Sequence, residues 1–294
     1  MADMTATTLA SVTPEVWSAK ASETYRSNVV FVPLLDHTWE PELGVGRGDT
    51  VNIYGFTQNN AATNRGAGTG TFGTGAAITF DAVTEGQTQL VVNRLYLKAH
   101  RMPVEAKAQV IPGYLTKLLE GHGKAIALAI DSDIAADNTN GIDAFTQTVG
   151  TDNVDLTEDD LLEAETNLNL VNAPLDGRVG VVSPGSKQSL MKIEALRNQL
   201  YKDSIGNLDG GKGAGLLGPV LTFQLYMSNN LETGTIGKKN AFFQKEAIAF
   251  AEQISIQREH NTNIEDGLFV QDVSYTTCGF KIIKNTNGVE AAGK

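Results

Sequence analysis

The chain is poor in the residues that most chemistry needs. Cys278 is the only cysteine among 294 residues, which excludes an intramolecular disulfide and any cysteine-based zinc site and fits folding in a reducing compartment. No apolar run approaches the roughly 20 residues that a bilayer-crossing helix needs, so no membrane contact is expected. The opening MADMTATTLAS has no basic stretch followed by an apolar one, so no secretory signal is expected there. Lys and Arg number 23 against 34 Asp and Glu, a net charge of -11, and none of the cations form a block. Tight nucleic-acid binding needs clustered cations at the phosphates, so only weak, non-specific contact with DNA is compatible with this composition. His37, His100, His122 and His260 show neither His-x-x-x-His nor Glu-x-x-His spacing, so each reads as a surface or packing residue and no metal site is expected.

What is present describes an ordered globule. Hydrophobic residues make up 41% and charged residues 19%, and a chain of this length can bury about 75% of its unfolded surface. Its chemical motifs fail on context. Gly68-x-Gly70-x-x-Gly73, inside GAGTGTFGTGAA (residues 66–77), has dinucleotide-binding spacing, but polar residues precede it and GAAITFDAV after it reads as extended. No helix N-terminus is available there for a pyrophosphate. Gly206-NLDG-Gly211-Lys212 has a P-loop frame, yet Gly213 stands where a magnesium-binding hydroxyl belongs. Ser189-x-x-Lys192 lacks any Lys-Thr-Gly partner, and at Ser183-Pro184 proline removes the N–H that an oxyanion hole would use. No catalytic residue, cofactor or metal ligand is expected. The acidic run 152–160 reads as a helix start, with Thr157 as N-cap and Glu158, Asp159 and Asp160 against the dipole.

Along the chain, Thr13-Pro14-Glu15 opens a short helix carrying Trp17, Ala21, Thr24 and Tyr25, and NVVFVPLL (28–35) follows as an extended apolar arm. VNIYGF from Val51 and LVVNRLYLKAH (90–100) alternate as strands that could pair in a long antiparallel ribbon. In the second, Val91, Leu95, Leu97 and Ala99 share one face and Arg94, Tyr96, Lys98 and His100 the other. The segment between them carries one charge, Arg65, from Asn52 to Phe80. A long helix spans Pro112 to Asp137, with Leu115, Leu119, Ile126, Ile130 and Ile134 as its apolar stripe. A helix from Thr157, the buried strand RVGVV (178–182), a helix capped by Ser183 and strands at VLTFQLYMS, AIAFAEQISIQ and LFVQDVSYTTCGFKII complete the reading. The apolar arm and ribbon residues Val29, Phe31, Leu34 and Phe72 are expected to find no burial within one subunit, which argues for assembly with neighbouring copies.

This order of elements resembles the major capsid proteins of tailed bacteriophages, the Hong Kong ninety-seven capsid fold shared with the encapsulins. The resemblance rests on Gly48-Asp49-Thr50-Val51 at the entry to an extended loop, LVVNRLYLKAHRMPVEAKAQV on its return, RVGVVSPGSKQSLMKI, GPVLTFQLYMSNNL, and the closing YTTCGFKII with its aromatic-x-x-x-Gly-x-Lys pattern. It implies an α+β fold: an N-terminal arm (1–47), an extended β-hairpin loop (48–100), a peripheral domain with a long spine helix (101–140), an axial α/β domain (141–250) and peripheral return strands (251–294). It further implies a non-enzymatic subunit that forms the pentamers and hexamers of an icosahedral shell around double-stranded DNA, assembled in the host cytoplasm. The alternative is an encapsulin-type nanocompartment shell. Scaffolding and portal proteins, with or without a decoration protein, would be its partners, and Trp17, Phe31, Leu34, Arg65, Gly68, Gly70, Phe72 and Arg94 its assembly contacts. Some members cross-link through a lysine in the extended loop; residues 51–90 contain none, so cohesion would be non-covalent. No long charged helical extension precedes the arm, so scaffolding would come from a separate chain or from an uncleaved short arm.

Overall fold

The computed structural model describes residues 24–25, 29–42, 50–57, 84–104, 114–197, 216–263 and 268–294. In chain order the elements are β1 (Thr50–Thr57), β2 (Thr84–Val91), β3 (Arg94–Pro103), α1 (Tyr114–Ala136), β4 (Gln147–Gly150), α2 (Glu158–Leu170), β5 (Arg178–Val182), α3 (Pro184–Leu190), α4 (Glu194–Arg197), β6 (Leu216–Val220), β7 (Phe223–Met227), β8 (Lys238–Gln244), β9 (Ile248–Asn263), β10 (Phe269–Ile282) and β11 (Gly288–Gly293). The strands form a two-stranded ribbon β1-β2, a three-stranded sheet β3-β10-β9 and a six-stranded sheet β4-β11-β8-β5-β7-β6.

Local rules account for much of this. Thr157 closes a capping box: its Oγ1 accepts the Asp160 N–H at 3.3 Å and the Asp160 carboxylate accepts the Thr157 N–H at 2.8 Å, so α2 starts there. Leu161, Ala164 and Leu168 then recur on its buried face. Ser183 Oγ accepts the Ser186 N–H at 2.9 Å and starts α3, which stops after Leu190 and resumes as α4, two short helices where one was expected. The expected strand VLTFQLYMS is likewise broken. Leu221 adopts φ 52°, and the chain turns back there so that β6 and β7 pair antiparallel.

β5 is buried at every position because it is covered on both faces, and it shows a continuous apolar run instead of alternation. Val179 and Val181 join Ile126, Ile130 and Ile134 of α1 with Phe243, Phe250 and Phe280 in one cluster. That cluster bonds the long helix to both larger sheets. Val182 and Phe242 on the other side pack with Leu161 and Leu168 of α2 and Leu190 of α3. Outside this core, the Asp152 carboxylate accepts the N–H groups of Thr235, Ile236 and Gly237 at 2.9–3.0 Å, so part of the acidic run pins a loop of the six-stranded sheet.

Candidate assembly surfaces

The apolar arm does not behave as its sequence implies. Val32–Leu34 form a 3-10 turn, and Val29, Phe31, Leu34 and Leu35 are buried against α1 and β9 of the same subunit. A fully buried side chain of this kind contributes about 1.5–3 kcal/mol. Asp131, fully buried on α1, accepts the N–H groups of Val30 and Phe31 at 3.0 and 3.1 Å, and Asn230 Nδ2 lies 3.4 Å away. The expectation that Val29, Phe31 and Leu34 find no burial in one subunit is overturned. The segment folds onto its own core, and Phe31 and Leu34 present no free surface to a neighbour.

The ribbon also differs from its sequence reading. The partner of β1 is β2, with Val51 opposite Leu90, whereas Arg94–Pro103 leaves the ribbon at Val92-Asn93 and pairs with β10. Val51, Ile53, Leu90 and Val92 form a small cluster with Ala249 and Ala251, which roots the ribbon on β9. The root also crosses β10 at Gly279, where a Cβ would stand 2.4 Å from the Val91 carbonyl oxygen. This is the glycine of the closing aromatic-x-x-x-Gly-x-Lys pattern, and it is required because backbone occupies the space a side chain would need. Lys281 of the same pattern donates to Asn140 Oδ1 at 2.7 Å.

The faces of β3 are inverted relative to the usual rule that apolar residues turn inward. Its polar residues meet α1: Arg94 forms ion pairs with Asp133, at 3.2 Å, and with Asp137, and its guanidinium stacks 4.0 Å over the Phe280 ring. Tyr96 donates to Asp133 at 2.6 Å, and burial followed by this hydrogen bond pushes its phenol pKa well up. Arg94 is therefore engaged within the subunit. Leu95 and Leu97 point outward instead, 58% and 57% exposed, opposite Thr277 and Tyr275 on β10. Ala99 and Val273 extend this face, and the Tyr275 hydroxyl reaches Gln257 and Glu259 on β9 at 3.2 Å. An apolar stripe on an edge strand, rimmed by polar groups, is the form of a protein interaction surface. The alternation was visible in the sequence; which face would be covered was not.

Trp17, Arg65, Gly68, Gly70 and Phe72 lie outside the described residues. Among the described residues no cluster of three or more His, Cys, Asp or Glu could hold a metal ion. The histidines are less scattered than their spacing implies, since the rings of His100 and His122 stack and His260 joins Arg258 at Asp272.

No protein-family model and no curated protein matches the chain. Solved structures do. A chain of Mycobacterium phage Che8 superposes with a TM-score of 0.67 at 21% identity, covering 90% of this chain and 91% of that one. The mature capsid of bacteriophage PhiM1 gives 0.64 at 13% identity, with 91% and 87% covered. This chain has the phage capsid fold. A virus-like particle from Pyrococcus furiosus shares the capsid fold too, with a TM-score of 0.60 at 11% identity over 95% and 98% of the two chains.

Proposed function

We propose that the chain is the major capsid subunit of a tailed phage, a structural protein whose copies form the pentamers and hexamers of an icosahedral shell around double-stranded DNA. The observation that carries this reading is a capsid fold matched over about nine-tenths of both chains. In this role the ribbon rooted at Gly279 of one subunit would cover the open face of Leu95 and Leu97 on the next. The net charge of -11 suits a container from which packaged DNA must slide freely. Separate scaffolding and portal proteins, with a decoration protein as a further partner, would complete assembly in the host cytoplasm, and Trp17, Arg65, Gly68, Gly70 and Phe72 remain proposed contacts.

Light scattering of the purified chain tests the reading: particles far larger than the 31.4 kDa subunit are the expected result, and monomer alone under all assembly conditions would overturn it. The likeness to the Pyrococcus particle favours one alternative, a nanocompartment shell. Nuclease-protected DNA in particles from infected cells supports the phage reading, and a protein cargo without DNA supports the nanocompartment.

A further inference from the structure

One buried point of polar contact ties α1 to the three-stranded sheet. His122 projects from the helix and is fully buried. Its ring stacks on that of His100 of β3, with centroids 4.5 Å apart and planes 14° from parallel. His122 Nε2 contacts His100 Nδ1, and His122 Nδ1 lies 3.0 Å from Ser274 Oγ on β10. The charged and titratable groups around the pair come from every neighbouring element. β3 contributes Lys98, β10 contributes Asp272 directly opposite His100, β9 contributes Arg258 and His260, and α1 itself carries Glu120 and Lys124. Asp272 is already engaged, receiving Arg258 Nε at 2.7 Å and meeting His260 Nδ1 at 3.1 Å.

Two imidazole nitrogens that face each other accommodate one hydrogen between them. A neutral pair satisfies this with an N–H on one ring and a lone pair on the other, and a singly protonated pair keeps the same N–H···N bond. A second proton leaves N–H facing N–H and presses two positive rings together, one fully buried and one partly so, near Lys98 and Arg258, with the Asp272 carboxylate offsetting part of that charge. We propose that His100 and His122 are a two-proton latch, which holds α1 to the β3–β10 sheet while the pair carries at most one excess proton and releases it when the second arrives. Burial, reinforced by His100, pushes the His122 pKa down to about 4, which agrees with the geometry. The sign follows: below about pH 6.5 the unfolded chain binds a proton that the native state refuses until about pH 4, so native stability falls as pH drops through that window.

Amide hydrogen exchange on the full chain, corrected for intrinsic rates, tests the latch. Between pH 7 and pH 4 protection is expected to fall by roughly tenfold or more in α1 around His122 and in β10 around Ser274, while α2 keeps its protection. His122→Gln, which still reaches Ser274 but cannot titrate, should lose this selective response. An unchanged acid response in His122→Gln, or a uniform loss across α1 and α2, overturns the proposal. Should the variant not fold, exchange at the C2 position of the native histidines decides instead. A His122 ring that stays neutral to below about pH 5 supports the latch, and one that titrates near the ordinary value of about 6.5 rejects it.

Discussion

The Asp131 carboxylate accepts the backbone N–H of Phe31 at 3.1 Å, joining two residues 100 positions apart. With the neighbouring, part-buried bond to Val30, it satisfies two donors on a segment that has no regular partner strand, and so fixes the arm to the long helix. Asp131→Ala leaves both N–H groups without an acceptor, at a cost of about 2–4 kcal/mol. Chemical denaturation should report that loss, and limited proteolysis should cut within 29–42 in the variant but not in the wild type.

The same carboxyl makes stability depend on pH in the opposite sense to His122. Burial outweighs its hydrogen bonds and pushes its pKa up to about 6. The native state therefore keeps a proton that the unfolded chain releases near pH 3.8, and this group's contribution falls as pH rises from about 4 to about 6, then stays level. Asp131→Asn should remove that slope. The stability difference, Asn variant minus wild type, is expected to increase between pH 4 and pH 6 in urea titrations.

Gly279→Val places a branched side chain where the Val91 carbonyl stands. The ribbon root must move off β10, and a destabilisation of about 1–3 kcal/mol is expected, as for overpacking elsewhere. The ribbon should also lose protection at Val51 and Leu90 in hydrogen exchange before the rest of the subunit does.

Leu95→Asp with Leu97→Asp probes the open face. Both side chains are more than half exposed, so each change should alter subunit unfolding by only about 0.5 kcal/mol. Particle formation, followed by sedimentation, should be lost. A subunit that unfolds before assembly is tested would show instead that this face is part of its own core.

How much of this was legible in the sequence depended on how local each signal was. Thr157 with Asp160, Ser183 with Ser186, and the stripe from Leu119 to Ile134 act over three or four residues, so their spacing alone identified α2, α3 and α1. Alternation from Leu90 to His100 identifies extended chain but does not choose a partner: the second strand of the ribbon is Thr84–Val91, and β3 pairs with β10 instead. The arm follows the same logic: Phe31 and Leu34 are apolar in any account, and only Asp131, 100 residues on, shows that they are covered by their own subunit. His100, His122 and Ser274 are separated by 22 and 152 residues and follow no spacing rule, so no sequence pattern could bring them together.

In the proposed shell, the ribbon of one copy lies over the open sheet face of the next. A cryo-electron microscopy reconstruction of the purified protein tests this arrangement. Closed icosahedral particles with rings of five and six subunits, and density covering Leu95 and Leu97 contributed by the adjacent subunit's ribbon, are the predicted result. A dispersed 31.4 kDa monomer, or a particle in which that face lies bare to solvent, would contradict it.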